Sequence, residues 1–153
     1  MGVDVDVTVK PLYSKQQGAV AGYNPHKPGR PSHAYHSYQV SGLRLMLGVD
    51  VLAGNQSHAN HTLPGLIRIL DGLSSQQRPQ LVRGDAGMAG EPMFQALEER
   101  GQKYLFKLRL TRNVKRHIER LFWEQGWSPP GETFYEGCQV VFEKLYQEIF
   151  HAA

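Results

Sequence analysis

The sequence predicts an α/β domain built on a mixed β-sheet with helices on its faces. Three observations lead there. The chain opens on a strict alternation, Val3-Asp4-Val5-Asp6-Val7-Thr8-Val9. Two further strand-like segments follow before any helical spacing appears. From residue 59 onward, helix-spaced apolar residues alternate with short apolar runs. The order reads β-β-β-α-β-α-β-α, and 153 residues suffice for one domain with a sizeable core.

Each element has its own signal. Period-two alternation and β-branched content make residues 3–9 a strand, with the four valines on one face and Asp4, Asp6 and Thr8 on the other. Residues 10–33 read as a long loop, punctuated by four prolines and three glycines and ending in the basic cluster His26, Lys27, Arg30 and His33. Residues 34–40 and 43–52 are strands joined by a tight Ser41-Gly42 link, as in a hairpin. Leu63, Leu66, Ile67, Leu70 and Leu73 recur at helical spacing over 59–73, with Pro64 expected near the helix start. Residues 80–84 form a fourth strand running into the glycine-flanked turn around Asp85. Residues 91–100 form a helix stopped by Gly101, 103–110 a fifth strand, and 112–123 a helix capped by Thr111. Beyond the break Ser128-Pro129-Pro130-Gly131, Val140 to Phe150 again carries helical spacing. A right-handed crossover favours strand one at the sheet centre, beside strand four.

Composition excludes several classes. One cysteine, Cys138, allows no intrachain disulfide. No apolar run approaches the ~18 residues of a membrane span, and no basic-then-apolar signal segment opens the chain, so the expected compartment is the cytoplasm. A net charge of +3 permits a polyanionic partner without requiring one. The His33/His36 and His58/His61 pairs lack the further ligands zinc needs.

The candidate chemistry lies in carboxylates. Aspartate is disfavoured inside strands, yet Asp4 and Asp6 share one face of a valine strand. Asp85 follows an apolar strand, where ligand sites of α/β sheets gather, between Gly84 and Gly87. A solvent-facing edge and an ordinary turn would account for each alone. If strands one and four are neighbours, Asp6 and Asp85 approach each other, and two close carboxylates call for a proton or a bridging cation. Hard oxygen ligands suit Mg²⁺ or Mn²⁺. Lys27 and Arg30 in the loop, and Lys107, Arg109, Arg112, Lys115 and Arg116 near the end of the α/β region, are the candidate DNA-binding residues. Trp123 and Trp127 are expected to pack.

Three runs in this order, Val3 to Tyr13, Gly22 to His33 and Arg83-Gly84-Asp85-Ala86-Gly87, resemble bacterial insertion-sequence transposases of the DDE class. Asp6-Val7-Thr8 matches the motif carrying that family's first catalytic aspartate. Gly84-Asp85-Ala86-Gly87 matches the turn carrying the second, and Tyr104 to Arg109 resembles the fifth strand. The likeness runs from residue 3 to about 127.

The resemblance implies an RNase H-like catalytic core, Mg²⁺ or Mn²⁺ as cofactor, and cleavage and strand transfer at transposon ends. Asp6 and Asp85 would be catalytic and hold the metal, with Asp4 as an alternative ligand and Thr8, Gly84 and Gly87 in support. It also implies a glutamate within a Tyr-x-x-Arg-x-x-x-Glu pattern, which this sequence lacks; Glu143 and Glu148 are out of register. The resemblance also implies a DNA-binding region before the first strand, and the expectation is that this sequence starts too late to include it. The expectation is therefore a truncated core over residues 1–127 with a divergent tail over 128–153, inactive alone. Its partners would be DNA, full-length transposase or a second copy of itself, and no membrane. A non-catalytic DNA-binding or transposase-binding remnant is the alternative; a decayed chain without a role and a self-contained nuclease follow.

Overall fold

The structure, a computed structural model, describes residues 1–22, 24 and 27–123. Contacts divide the chain into two units, Met1–Lys107 and Leu108–Ala153. The first unit ends well before the expected boundary at residue 127. The tail helix expected over 140–150, and with it Glu143, Glu148 and Trp127, lies outside the described residues, as does His26.

The first unit is a six-stranded mixed sheet with two helices. Its elements are β1 (Gly2–Pro11), β2 (Val20–Ala21), β3 (Pro31–Val40), β4 (Leu45–Ala53), α1 (Ala59–Gly72), β5 (Leu81–Gly84), α2 (Glu91–Glu98) and β6 (Tyr104–Phe106). β1 is central, antiparallel to β3 and parallel to β5, as the sequence predicts for strands one and four. β4 pairs antiparallel with β3, and β6 pairs parallel with β5.

Three boundaries differ from expectation. The stretch read as a loop over 10–33 is partly sheet: β1 runs to Pro11, β3 begins at Pro31, and β2 pairs with the start of β3. Proline at both strand ends hid this extension, because a strand's first and last residues tolerate a missing N–H. The fifth strand is three residues long, since only Tyr104–Phe106 finds partners on β5. Pro64 sits within α1, which already begins at Ala59. Its ring removes the N–H that would have bonded the carbonyl of Asn60.

The valine face of β1 is the core. Val3 and Val5 are buried and stand opposite Val40 and Tyr38 of β3. Leu66 and Leu70 of α1 and Phe94 and Leu97 of α2 are buried with them. Each such side chain contributes ~1.5–3 kcal/mol through removal from water. α2 lays Phe94 against Tyr104 and Phe106, with ring centroids 5.2 and 5.9 Å away. It ends as predicted at Gly101, whose φ of 59° lets the Gln102 N–H reach back to the Leu97 carbonyl at 2.9 Å.

The buried histidine on this face has both ring nitrogens satisfied. His36 is fully buried, with Nε2 2.7 Å from the Gln56 carbonyl and Nδ1 2.6 Å from the Thr62 hydroxyl. A carbonyl only accepts, so Nε2 carries the proton and Nδ1 accepts from Thr62. Burial holds the His36 pKa below the usual histidine value. Both ring nitrogens are thereby committed to the fold.

The second unit contributes α3 (Arg112–Trp123) to the described residues. Thr111 caps it as expected, its hydroxyl accepting the Val114 N–H at 3.3 Å. Val114 and Leu121 are buried. Trp123, expected to pack, is 80% exposed.

Candidate active site

Alternation along β1 places Asp4, Asp6, Thr8 and Lys10 on the face opposite the buried valines. Their neighbours on β3 are Gln39, Ser37, Tyr35 and His33. On the other side, the parallel ladder with β5 pairs Asp4 with Arg83 and Val5 with Gly84, and ends there. Asp6 and Asp85 are the residues that follow this last rung on the two neighbouring strands. Asp85 lies just past the end of β5 and lines a cleft together with Asp4 and Arg83.

The three aspartates differ in surroundings. Arg83 grips Asp4 with Nε to Oδ1 at 2.7 Å and Nη2 to Oδ2 at 3.0 Å. This hydrogen-bonded guanidinium holds the Asp4 pKa below the usual carboxylate value, against a smaller opposing effect of burial. Asp4, considered from the sequence as an alternative ligand, is thus engaged by a cation already. Asp6 is exposed, and the Thr8 hydroxyl lies 3.5 Å from its Oδ2. Asp85 is exposed and opens a turn: its Oδ1 accepts the Gly87 N–H at 2.8 Å, and its carbonyl accepts the Met88 N–H at 3.1 Å.

The two glycines have distinct reasons. A Cβ at Gly84 would lie 2.7 Å from the Phe106 ring, so Gly84 admits a core aromatic under the site. A Cβ at Gly87 would stand 3.0 Å from Asp85 Oδ1, in the way of the turn.

Of the expected DNA-contacting cations, Lys107 joins Asp4, Arg83, Asp85 and Leu105 around a cleft of about 420 Å³. Lys27 and Arg30 gather instead at Tyr13, beyond the end of β1. Arg109 and the α3 residues Arg112, Lys115 and Arg116 are exposed and belong to the second unit. Among the described residues no group of three or more His, Cys, Asp or Glu side chains is close enough to hold a metal ion. None of their helices is long and apolar enough to cross a membrane.

Sequence reasoning missed Arg83 and Tyr13. Arg83 had a signal, because it shares Asp85's parity on a strand otherwise apolar. Tyr13 closes one of the runs that carry the family resemblance, but nothing in its local pattern marked its ring as a meeting point for cations.

The profile of the family described as Transposase DDE domain group 1 matches residues 1–153. No curated protein sequence matches the chain. Among solved structures, a piggyBac transposase synaptic complex with hairpin DNA is similar over 73% of this chain and 24% of that one, at 16% identity and a TM-score of 0.50. The chain thus spans about a quarter of the piggyBac chain it matches. The HTLV-2 integrase catalytic core domain in complex with magnesium is similar over 95% and 82%, at 11% identity and a TM-score of 0.46. The Mos1 mariner paired end complex with Mn is similar over 80% and 48%, at 12% identity and a TM-score of 0.46. The sheet is of the RNase H-like kind.

Proposed function

The chain belongs to the DDE transposase domain family, and on that premise we propose that Asp6 and Asp85 are the first two metal-binding carboxylates of a site that cleaves and joins DNA at transposon ends. One observation carries the reading: the β1–β5 ladder stops one residue short of both aspartates. Adjacent strands lie ~4.8 Å apart, which supports the reading that carboxylates following the same rung can share a cation. Their donor type fits Mg²⁺ or Mn²⁺, which prefer hard oxygen ligands.

Bound there, such ions would neutralise phosphate charge and favour a nucleophilic oxygen. The chain's own residues prepare the place. The Gly87 N–H holds one Asp85 oxygen and thereby fixes its carboxylate plane. The Thr8 hydroxyl lies near Asp6. Arg83 occupies Asp4, so that the third aspartate adds no uncompensated repulsion. Lys107 brings positive charge to the cleft beside Asp85, where a DNA phosphate would lie. Among the described residues no third carboxylate joins the pair, and we expect cleavage to depend on one being brought beside Asp6 and Asp85.

Thermal unfolding with and without Mn²⁺ tests the pair. A ligand that binds only the folded state raises the midpoint by mass action. The native chain should show a rise that Asp6→Asn and Asp85→Asn both abolish. An equal Mn²⁺ effect in all three would overturn the assignment.

The cationic side of α3 favours a second reading. Arg112, Lys115 and Arg116 recur at helical spacing and are exposed, as in a non-catalytic DNA-binding surface. Under that reading DNA affinity falls steeply with salt and survives Asp85→Asn.

A further inference from the structure

We propose that the polar face of β1 continues away from the carboxylates as a track for a single DNA strand, ending where an unpaired base stacks on Tyr13. The inference rests on the reading of Asp6 and Asp85 as a site acting on DNA, and adds where one strand of that DNA runs.

The residues change character in steps along the strand. Asp6 stands opposite Ser37, Thr8 opposite Tyr35, and Lys10 opposite His33. Acid thus gives way to hydroxyls and an aromatic ring, and then to a cation. The Lys10 ammonium lies 5.8 Å from the Tyr35 ring centroid, and the His33 ring meets Tyr35 edge-on at 6.5 Å. β1 ends at Pro11, and Tyr13 follows with its side chain 70% exposed.

Tyr13 collects two further cations. The Lys27 ammonium donates to its hydroxyl and so sits toward that end of the ring, 4.6 Å from the centroid. The Arg30 guanidinium carbon is also 4.6 Å from the centroid. Among the described residues no carboxylate pairs with Lys10, Lys27 or Arg30. The ring borders a cleft of about 630 Å³ to which Lys15 and Arg30 also contribute. That is within the ~300–1,000 Å³ range of small-ligand sites.

An exposed aromatic ring beside cations that no described carboxylate neutralises fits one ligand chemistry: a planar base carrying a phosphate. The ring takes the base, and Lys27 and Arg30 take the phosphates that flank it. In an intact duplex each base is already stacked and paired, so the ring selects for single-stranded character. From Asp6 to Pro11 the strand covers ~17 Å, a span of a few nucleotides.

The test is fluorescence anisotropy of a labelled single-stranded 12-mer with the full 153-residue chain. Buffer containing EDTA keeps the carboxylate pair out of the measurement. Native protein should bind the 12-mer about tenfold more tightly than does Tyr13→Ala, a difference of the size that losing one stacked base produces. Tyr13→Phe should bind within about twofold of native, because the ring suffices for stacking. Replacing the bases of the 12-mer by abasic sugars should weaken native binding and leave Tyr13→Ala unchanged. Equal affinities of native and Tyr13→Ala, indifference of the native chain to base removal, or no binding at all would each overturn the track. The Mn²⁺ response of Asp6 and Asp85 is read separately by melting, so failure of the track and failure of the metal site are told apart.

Discussion

Arg83 meets Asp4 across a parallel rung of β1 and β5, each of its two donating nitrogens on a different carboxylate oxygen, at 2.7 and 3.0 Å. The contact ties the strands two residues before Asp6 and Asp85, one rung short of the ladder's end. It also settles which aspartate on this face is charge-compensated. Side chains 41% and 47% exposed leave the pair well screened, so its worth is that of a surface ion pair, ~0.2–1 kcal/mol.

Asp4→Asn should therefore cost at most about 1 kcal/mol in urea unfolding while the Mn²⁺-dependent rise in melting point persists. The Asp4 pKa is lowered in the folded state, so its contribution is present above the unfolded value near 3.8 and is lost as pH falls through the lower folded value. Acid titration of stability should be flatter below that pH in the variant. Disappearance of the Mn²⁺ response in Asp4→Asn would make Asp4 a ligand after all.

Gly84→Ala should destabilise by ~1–3 kcal/mol, because the added methyl meets the Phe106 ring 2.7 Å away. Urea midpoints of the native and variant chains measure this. A neutral substitution would mean that Phe106 moves aside freely.

A stronger effect is expected at Gly65. A Cβ there collides with the Tyr38 hydroxyl of β3 and the Asp50 carboxylate of β4. The single Tyr38 hydroxyl proton is shared between the Thr62 carbonyl at 2.9 Å and an Asp50 carboxylate oxygen at 3.1 Å, so displacement breaks a buried polar network as well. Gly65→Ala should lose more than ~2 kcal/mol, and circular dichroism during urea unfolding reads the loss.

His36 makes stability depend on pH in the acid range. Its folded pKa lies below the unfolded value of 6.5, chiefly because burial disfavours the charged ring. Between those two values the unfolded chain binds the proton more readily. Stability is thus fully present above about pH 6.5 and declines as pH falls toward the lowered folded value. Denaturant unfolding at pH 7.5 and 5.5 should show the drop in the native chain and a smaller one in His36→Gln. Identical drops in both would assign the pH dependence to other groups.

Much of this was legible in the sequence. The alternation of Val3 to Val9 identified β1 and its two faces, because a strand's period leaves each side chain only two directions. Gly101 and Thr111 were readable as a helix stop and a helix cap, because those roles need only local backbone chemistry. The order of strands and helices, with the crossover rule, placed strand one beside strand four. The Asp-x-Thr and Gly-Asp-x-Gly motifs carried the family resemblance that the full-length profile match bears out.

What the sequence left open depended on partners distant along the chain. Which residue faces Asp4 is a matter of register between β1 and β5, and no local pattern specifies it. Whether Gly84 serves the site or the core turned on Phe106, which arrives from another strand. The meeting of Tyr13, Lys27 and Arg30 joins two ends of a segment whose prolines and glycines spoke only of turns. Local chemistry wrote the elements and nominated the aspartates. The pairing of strands decided which charges meet, because only packing brings residues far apart in the chain within bonding distance.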